Sequence, residues 1–330
     1  MTDRFTGEAP VGEPLEGDTT LHVKAPTETG AGSSIAGAPV EREFTVRQRT
    51  QTSLIIGRFL QHKAAVASLF VFIALVLLAF VGGHFWRFSY TFSGPDVSVG
   101  PSLKHPFGTD NLGKDEFALV LRGTQRSVEI ALLIAVFSGT VGTIWGAVSG
   151  YYRGITDTVL MRVADLVLTL PLIAVAAVLG HNVGGGSWLL IAAIIGGLQW
   201  AYVSRVVRGV VLSLREKEFI EASRALGASD VRIIGRHLIP NTLGPIIVNL
   251  TILVAIGILL ETALSYLGFG VQAPDTSLGL LVSNAQTAID TRPWLFYFPG
   301  VFIILIALTI NFIGDGLRDA FDPQQTRVRA

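Results

Sequence analysis

Few residues of this 330-residue chain have types and spacings that suit chemistry. The stretch Gly108-Thr-Asp-Asn-Leu-Gly113-Lys114 has the GxxxxGK spacing of a loop that cradles phosphates with backbone N–H groups and a lysine. Such a loop needs Ser or Thr next, to hold magnesium, and a buried strand in front. Here Asp115 follows and Lys104-His105-Pro106 precedes, so the spacing match does not make a nucleotide site. Six histidines (His22, His62, His84, His105, His181, His237) are scattered, and no pair has the spacing of zinc ligands. There is no cysteine, which excludes disulfides, thiolate metal sites, iron–sulfur clusters and a thiol nucleophile. No GxSxG nucleophile elbow occurs. What remains is the chemistry of charged and polar groups set in or beside long apolar stretches.

Those stretches dominate the chain. Apolar residues make up 50% of it and charged residues 15%, against about 25% charged in a soluble domain. Mean hydropathy is +0.55. Twenty-five bases and 25 acids cancel, which argues against a nucleic-acid partner. A hydrocarbon core takes about 20 apolar residues per helix. Residues 63–83, 128–151, 158–180, 187–206, 241–264 and 294–314 meet that requirement, so an all-α membrane protein with six transmembrane helices is predicted. Pro171 should kink the third span. Gly184-Gly185-Gly186 reads as a tight turn. Residues 1–50 read as a disordered tail, without the basic start and apolar run of a signal peptide. A transmembrane domain covers 51–323, and 324–330 is a short C-terminal tail.

Basic residues orient the spans. Arg208, Arg215, Lys217, Arg224, Arg232 and Arg236 lie between spans four and five, whereas residues 265–293 carry only Arg292. Arg47, Arg49, Arg58 and Lys63 precede span one. The positive-inside rule then puts both termini in the cytoplasm of a cell whose inner membrane holds the chain. The long segment 84–127 carries five bases on the outside, where long loops obey the rule weakly.

Polar groups inside spans need partners or a path. Arg162 and Asp165 lie three apart near the inner end of span three, suited to an ion pair or a gate. Asn249 lies about 12 Å into span five, and Glu261 near its outer end; both are candidates for lining a path. Ser138, Gly142, Gly146 and Gly150 recur every four residues, so one face of span two allows close helix contact, either within the chain or with a second subunit.

The basic segment 213–240 has elbow chemistry. Ser213 followed by Glu216 is a capping box that predicts a helix from Leu214. Gly227 is a left-handed stop, Ser229 caps a second short helix, and Pro240 should end it. Phe219, Ala222 and Leu226 form an apolar stripe, with Glu218 and Glu221 three apart near Arg224. This elbow suits either the membrane surface or a docked partner.

Glu221-Ala222-Ser223, then Gly227, then Ile239-Pro240 resembles the EAA loop of ABC-importer permeases, with Ser223 in place of the second Ala and His237 in place of Ile. The run Arg236-His237-Leu238-Ile239-Pro240-Asn241 is similar to the form in the peptide-transport branch. His105–Asp115, Gly150-Tyr151-Tyr152-Arg153-Gly154, Ser265–Pro274 and Asn311–Asp319 resemble segments of the C-type permease of dipeptide and oligopeptide importers. The resemblance spans about Thr52 to Pro323. It implies the type I ABC importer permease fold. It also implies a homologous second permease, two cytosolic ATPase subunits that bind ATP and magnesium, and an extracytoplasmic peptide-binding protein. No cofactor would reside in this chain. The family's ATPase-coupling elbow falls here on Glu218, Glu221, Ala222, Ser223, Arg224, Gly227, Arg236, His237 and Pro240. A nickel or haem importer of the same family shares these motifs. A carrier or channel driven by ions would instead need paired carboxylates at mid-span or an inverted repeat, and the sequence shows neither.

Overall fold

A backbone in lipid must satisfy its own hydrogen bonds, so the apolar stretches fold as helices. The computed structural model describes residues 51–182 and 187–322. The tails expected at 1–50 and 324–330 and the turn at Gly184–Gly186 lie outside the described residues. Helix α1 is Gln51–Gln61, and α2 runs Lys63–Phe85 through a π turn at Leu78–Gly82. Then come α3 (Glu116–Tyr152), α4 (Gly154–Thr169), α5 (Leu172–Asn182) and α6 (Trp188–Leu214). The short α7 (Glu218–Ala225) leads into α8 (Asp230–Tyr266), followed by α9 (Leu278–Ala285) and α10 (Trp294–Phe321). Among the described residues, five helices are long and apolar enough to cross a membrane. The pair α4–α5, bent by 77°, makes a sixth when the two helices are taken as one broken span. Leu170, before Pro171, is extended (φ −72°, ψ 131°), as a pre-proline residue prefers, and the helix breaks there.

Helices α3, α6 and α8 outrun the apolar segments expected for them, because their added turns still bury apolar side chains: Val120 and Leu121 in α3, Val207 and Val211 in α6, Ile233 and Leu238 in α8. Two expectations fail. Ser213 does not start a helix: α6 continues to Leu214, where Val207 and Val211 are still buried, and Lys217 is the N-cap of α7. Tertiary packing overrides the local capping signal. Pro240 does not end a helix either. A π turn at Ile234–Leu238 offsets the ladder so that the Ile239 N–H reaches the Ile234 carbonyl, and α8 runs on through the proline.

The small-residue face of α3 packs against α6 of the same chain. Ser138 Oγ donates to the Gly196 carbonyl at 2.9 Å. A Cβ on Gly142 would stand 2.6 Å from Val203 Cβ, one on Gly146 2.3 Å from the Ser204 carbonyl, and one on Gly150 3.0 Å from the Arg208 carbonyl. The partners climb together, so the two helices are parallel, and α4–α5 is the return between them. Arg208 grips Asp157 of α4 with both carboxylate oxygens, at 2.6 and 2.7 Å, below this seam. On its other side α3 meets α8, where Ile134 and Ala131 pack beside Gly257, and α10 and α2 complete that layer. Helix α4 is peripheral and buries only Ala164 of its residues.

Outside this bundle two loops fold onto the start of α3. Asp115 caps α3 by accepting from Ala118 N at 2.9 Å, and it also holds Trp86 Nε1 (2.8 Å) and His105 Nδ1 (2.7 Å). The phosphate-loop look-alike is part of this pinned segment: a Cβ on Gly113 would lie 2.1 Å from the Gly94 carbonyl. Across it, Asp275 accepts from Arg122 Nε (2.9 Å) and Arg126 Nε (2.5 Å) of α3.

Candidate functional site

The elbow is built from its anchors outward. Ile220 of α7 and Ile233 and Leu238 of α8 are fully buried against Val211 of α6 and Tyr151 of α3. Helix α7 therefore has one face held by the bundle. Its end is closed by a Schellman motif: Ala228 N–H donates to the Ser223 carbonyl (3.1 Å) and Gly227 N–H to the Arg224 carbonyl (2.9 Å). Gly227 sits at φ +78°, where an L side chain is strained although the space around it is open. Ser229 occupies the N-cap of α8 but makes no capping hydrogen bond with its side chain.

The free face of the elbow carries the remaining residues of interest. Glu218, Glu221, Ala222 and Arg224 are exposed, and so are Arg236 and Pro240; Ser223 and His237 are partly so. Ser223 Oγ donates to the Phe219 carbonyl at 2.7 Å, and the His237 carbonyl accepts from Asn241 Nδ2 at 2.6 Å. Phe219, Leu226 and Val231 stand 42%, 89% and 79% exposed. The surface is thus acidic and apolar at once, on a short helix whose opposite side is fixed.

Residues that the sequence did not single out fasten it. Tyr151 Oη donates to Asp230 Oδ1 at 2.6 Å, at the first residue of α8. The Arg224 guanidinium lies 5.2 Å from the Tyr151 ring centre, and Arg215 donates to the Tyr151 carbonyl. Burial pulls the Arg215 guanidinium below its ordinary value, and the charge of Arg153 adds to that. Arg153 pairs with Glu216 at 2.7 Å. Tyr151 belongs to the Gly150–Gly154 stretch that was legible as a motif, but nothing in its spacing reveals a partner 79 residues away.

The intramembrane candidates do not converge. Asp165 pairs with Arg205 of α6 at 2.5 Å rather than with Arg162, because α4 turns Asp165 toward α6 and leaves Arg162 exposed. Glu261 lines no path within this chain. It is fully buried, accepting from Ser265 Oγ (2.6 Å) and Ser127 Oγ (3.3 Å). Asn249 is half-buried on α8, and its Nδ2 donates to the Pro245 carbonyl at 2.8 Å. Among the described residues no cluster of His, Asp and Glu could hold a metal ion.

Residues 142–327 match the family described as the binding-protein-dependent transport system inner membrane component, and residues 50–106 match the N-terminal transmembrane domain of oligopeptide transport permease C. The chain is 40% identical over 293 residues to the oligopeptide transport system permease protein OppC of Mycobacterium tuberculosis, covering 87% of this chain and 98% of that protein. It is 37% identical over 269 residues to the protein of the same description in Bacillus subtilis, with 81% and 88% covered. A putative peptide permease protein of Brucella suis is 39% identical over 273 residues, with 81% and 89% covered. In fold, the chain resembles one from inward-facing conformations of the MetNI methionine ABC transporter, with a TM-score of 0.51 at 19% identity. That match covers 62% of this chain and 97% of the other.

Proposed function

The chain belongs to the inner-membrane components of binding-protein-dependent transport systems, the permease subunits that carry no ATPase domain of their own, and from that premise we propose that it is half of the translocation path of an ATP-driven importer of di- and oligopeptides. One observation supports this above the others: an elbow with buried anchors at Ile220 and Ile233 and an exposed acidic and apolar face. A helix so held is fixed to the bundle on one side and presents a docking surface on the other. Its partner is the cytosolic ATPase. Glu218, Glu221 and Arg224 make the polar contacts, Phe219 and Leu226 the apolar ones, and Gly227 makes the turn.

Two such ATPases bind ATP and magnesium and close on each other. The movement enters through the elbow and is carried into α3 by the Tyr151–Asp230 contact and into α6 by Arg215. A homologous second permease completes the path, which opens outward to take peptide from an extracytoplasmic binding protein and inward after hydrolysis. The exposed apolar residues of α4, such as Ile155, Val159 and Leu166, suit lipid or that second subunit. Both termini lie in the cytoplasm on this assignment, which the bases of 208–236 support.

The test is purification of the tagged chain from its native host in mild detergent. Two ATPases and a second permease should accompany it. Glu221→Ala and Gly227→Val should insert and assemble but take up less peptide. A chain that comes down intact and alone, or variants with normal uptake, would remove the coupling role.

A further inference from the structure

A chamber of about 380 Å³ lies between the loop 110–116, the loop 273–276 and α9, beside the start of α3. One wall carries Glu116. Its residue is only 2% exposed, it lines the chamber, and its Oε1 has no hydrogen-bond partner among the described residues. The other acids there are already engaged. Asp110 Oδ1 accepts the N–H groups of Leu112 and Lys114, both at 2.8 Å, and Asp275 is held by Arg122 and Arg126. An unpartnered buried carboxylate is costly unless something supplies a donor. The rest of the lining is mixed: Leu280, Leu281 and Leu295 are apolar, and Asn284 and Thr276 are polar. Apolar walls with a few convergent polar groups, at this volume, suit one small organic group. Calcium or magnesium would need several oxygen ligands, and the absence of any cluster of three His, Asp or Glu among the described residues argues against a metal.

We propose that this chamber is a binding site for the amino-terminal residue of a short peptide, with the α-ammonium on Glu116 and the first side chain against Leu280, Leu281 and Leu295. The inference rests on the peptide-importer reading and on the outward orientation of the 110–116 loop. It differs from the translocation path, because every wall comes from this one chain.

The experiment uses the assembled transporter in nanodiscs, without binding protein, and measures equilibrium binding of radiolabelled tri-leucine. The wild type should bind it saturably. Glu116→Gln should weaken binding about tenfold, the value of one charge-assisted hydrogen bond, and N-acetyl-tri-leucine should not compete. Leu280→Trp fills the chamber without altering the carboxylate and should weaken binding too, which guards against a folding defect in the first variant. Absence of saturable binding, wild-type binding by both variants, or full competition by the acetylated peptide overturns the proposal. Uptake driven by the binding protein is measured alongside. If the wild type takes up peptide but none of these effects appears, this inference alone falls; if it takes up none, the importer reading has failed.

Discussion

Tyr151→Phe removes one oxygen from the junction between the elbow and the bundle. The ring stays, buried to 5% exposure, and so does its stacking with the Arg224 guanidinium; the 2.6 Å hydrogen bond to Asp230 is lost, together with the interaction of the phenol oxygen with Arg224. A hydrogen bond to a charged partner contributes about 1.5–3 kcal/mol. Asp230 is open to water, so the lower end applies, and the junction should open about tenfold more often. Hydrogen exchange followed by mass spectrometry on the assembled complex reads this directly: peptides covering 218–233 should exchange about tenfold faster, while those from the α3–α6 seam should not change. More ATP should be hydrolysed per peptide imported, since ATPase closure is then transmitted less completely. Tyr202→Phe, at an exposed phenol on α6, is the control and should be silent. Unchanged exchange at 218–233 together with unchanged coupling would refute the claim that this hydrogen bond ties elbow to span.

Gly227→Val should lower uptake, whereas Gly227→Asn should stay near wild type, because the space is open and asparagine tolerates φ +78° at a cost of about 1 kcal/mol or less; uptake in vesicles separates the two. Gly146→Val should reduce thermal stability in detergent by about 1–3 kcal/mol, since its Cβ meets the Ser204 carbonyl at 2.3 Å and two parallel helices must part. Asp275 shows a pH effect. Burial alone would raise its carboxyl, but the hydrogen bonds and charges of Arg122 and Arg126 outweigh it and hold the group below its ordinary value. Its contribution is therefore complete above about pH 4 and is lost as pH falls through the depressed folded value. Melting curves of wild type and Asp275→Asn should differ at pH 6 and converge toward pH 3.

The spans, the broken third helix and the elbow glycine were legible because each rests on local rules. Pro171 forces its predecessor out of the helical region, and Gly227 sits where only a left-handed residue closes the turn. The helix limits around 213 and 240 were not legible. Burial of Val211 overrode the Ser213 capping signal, and a π turn upstream absorbed Pro240. Pairings were harder still. The Arg162–Asp165 spacing is a good local pair, yet Asp165 found Arg205, 40 residues on. Glu261 has one of its serines, Ser265, a turn away on α8, but the other, Ser127, lies on α3, 134 residues back, where spacing does not reveal it. The small-residue face of α3 announced close contact, but only the fold shows that α6 provides it.

That seam has a consequence for how the chain is made. Helices α3 and α6 are parallel, so no hairpin can zip them as they emerge; the return through α4 and α5 separates them. While α4 and α5 are being synthesised, α3 stands in lipid with Gly142, Gly146 and Gly150 uncovered, and it gains its cover only when Val203, Ser204 and Val207 arrive. Biogenesis thus contains an obligatory wait of about fifty residues, roughly three to ten seconds at bacterial elongation rates. A nascent chain halted after α5 displays a helix-binding groove to whatever passes in the membrane. Quality-control proteases and insertion chaperones would meet the protein in that state, and substitutions on α6 would be felt as degradation of the half-made chain before any defect in transport could be measured.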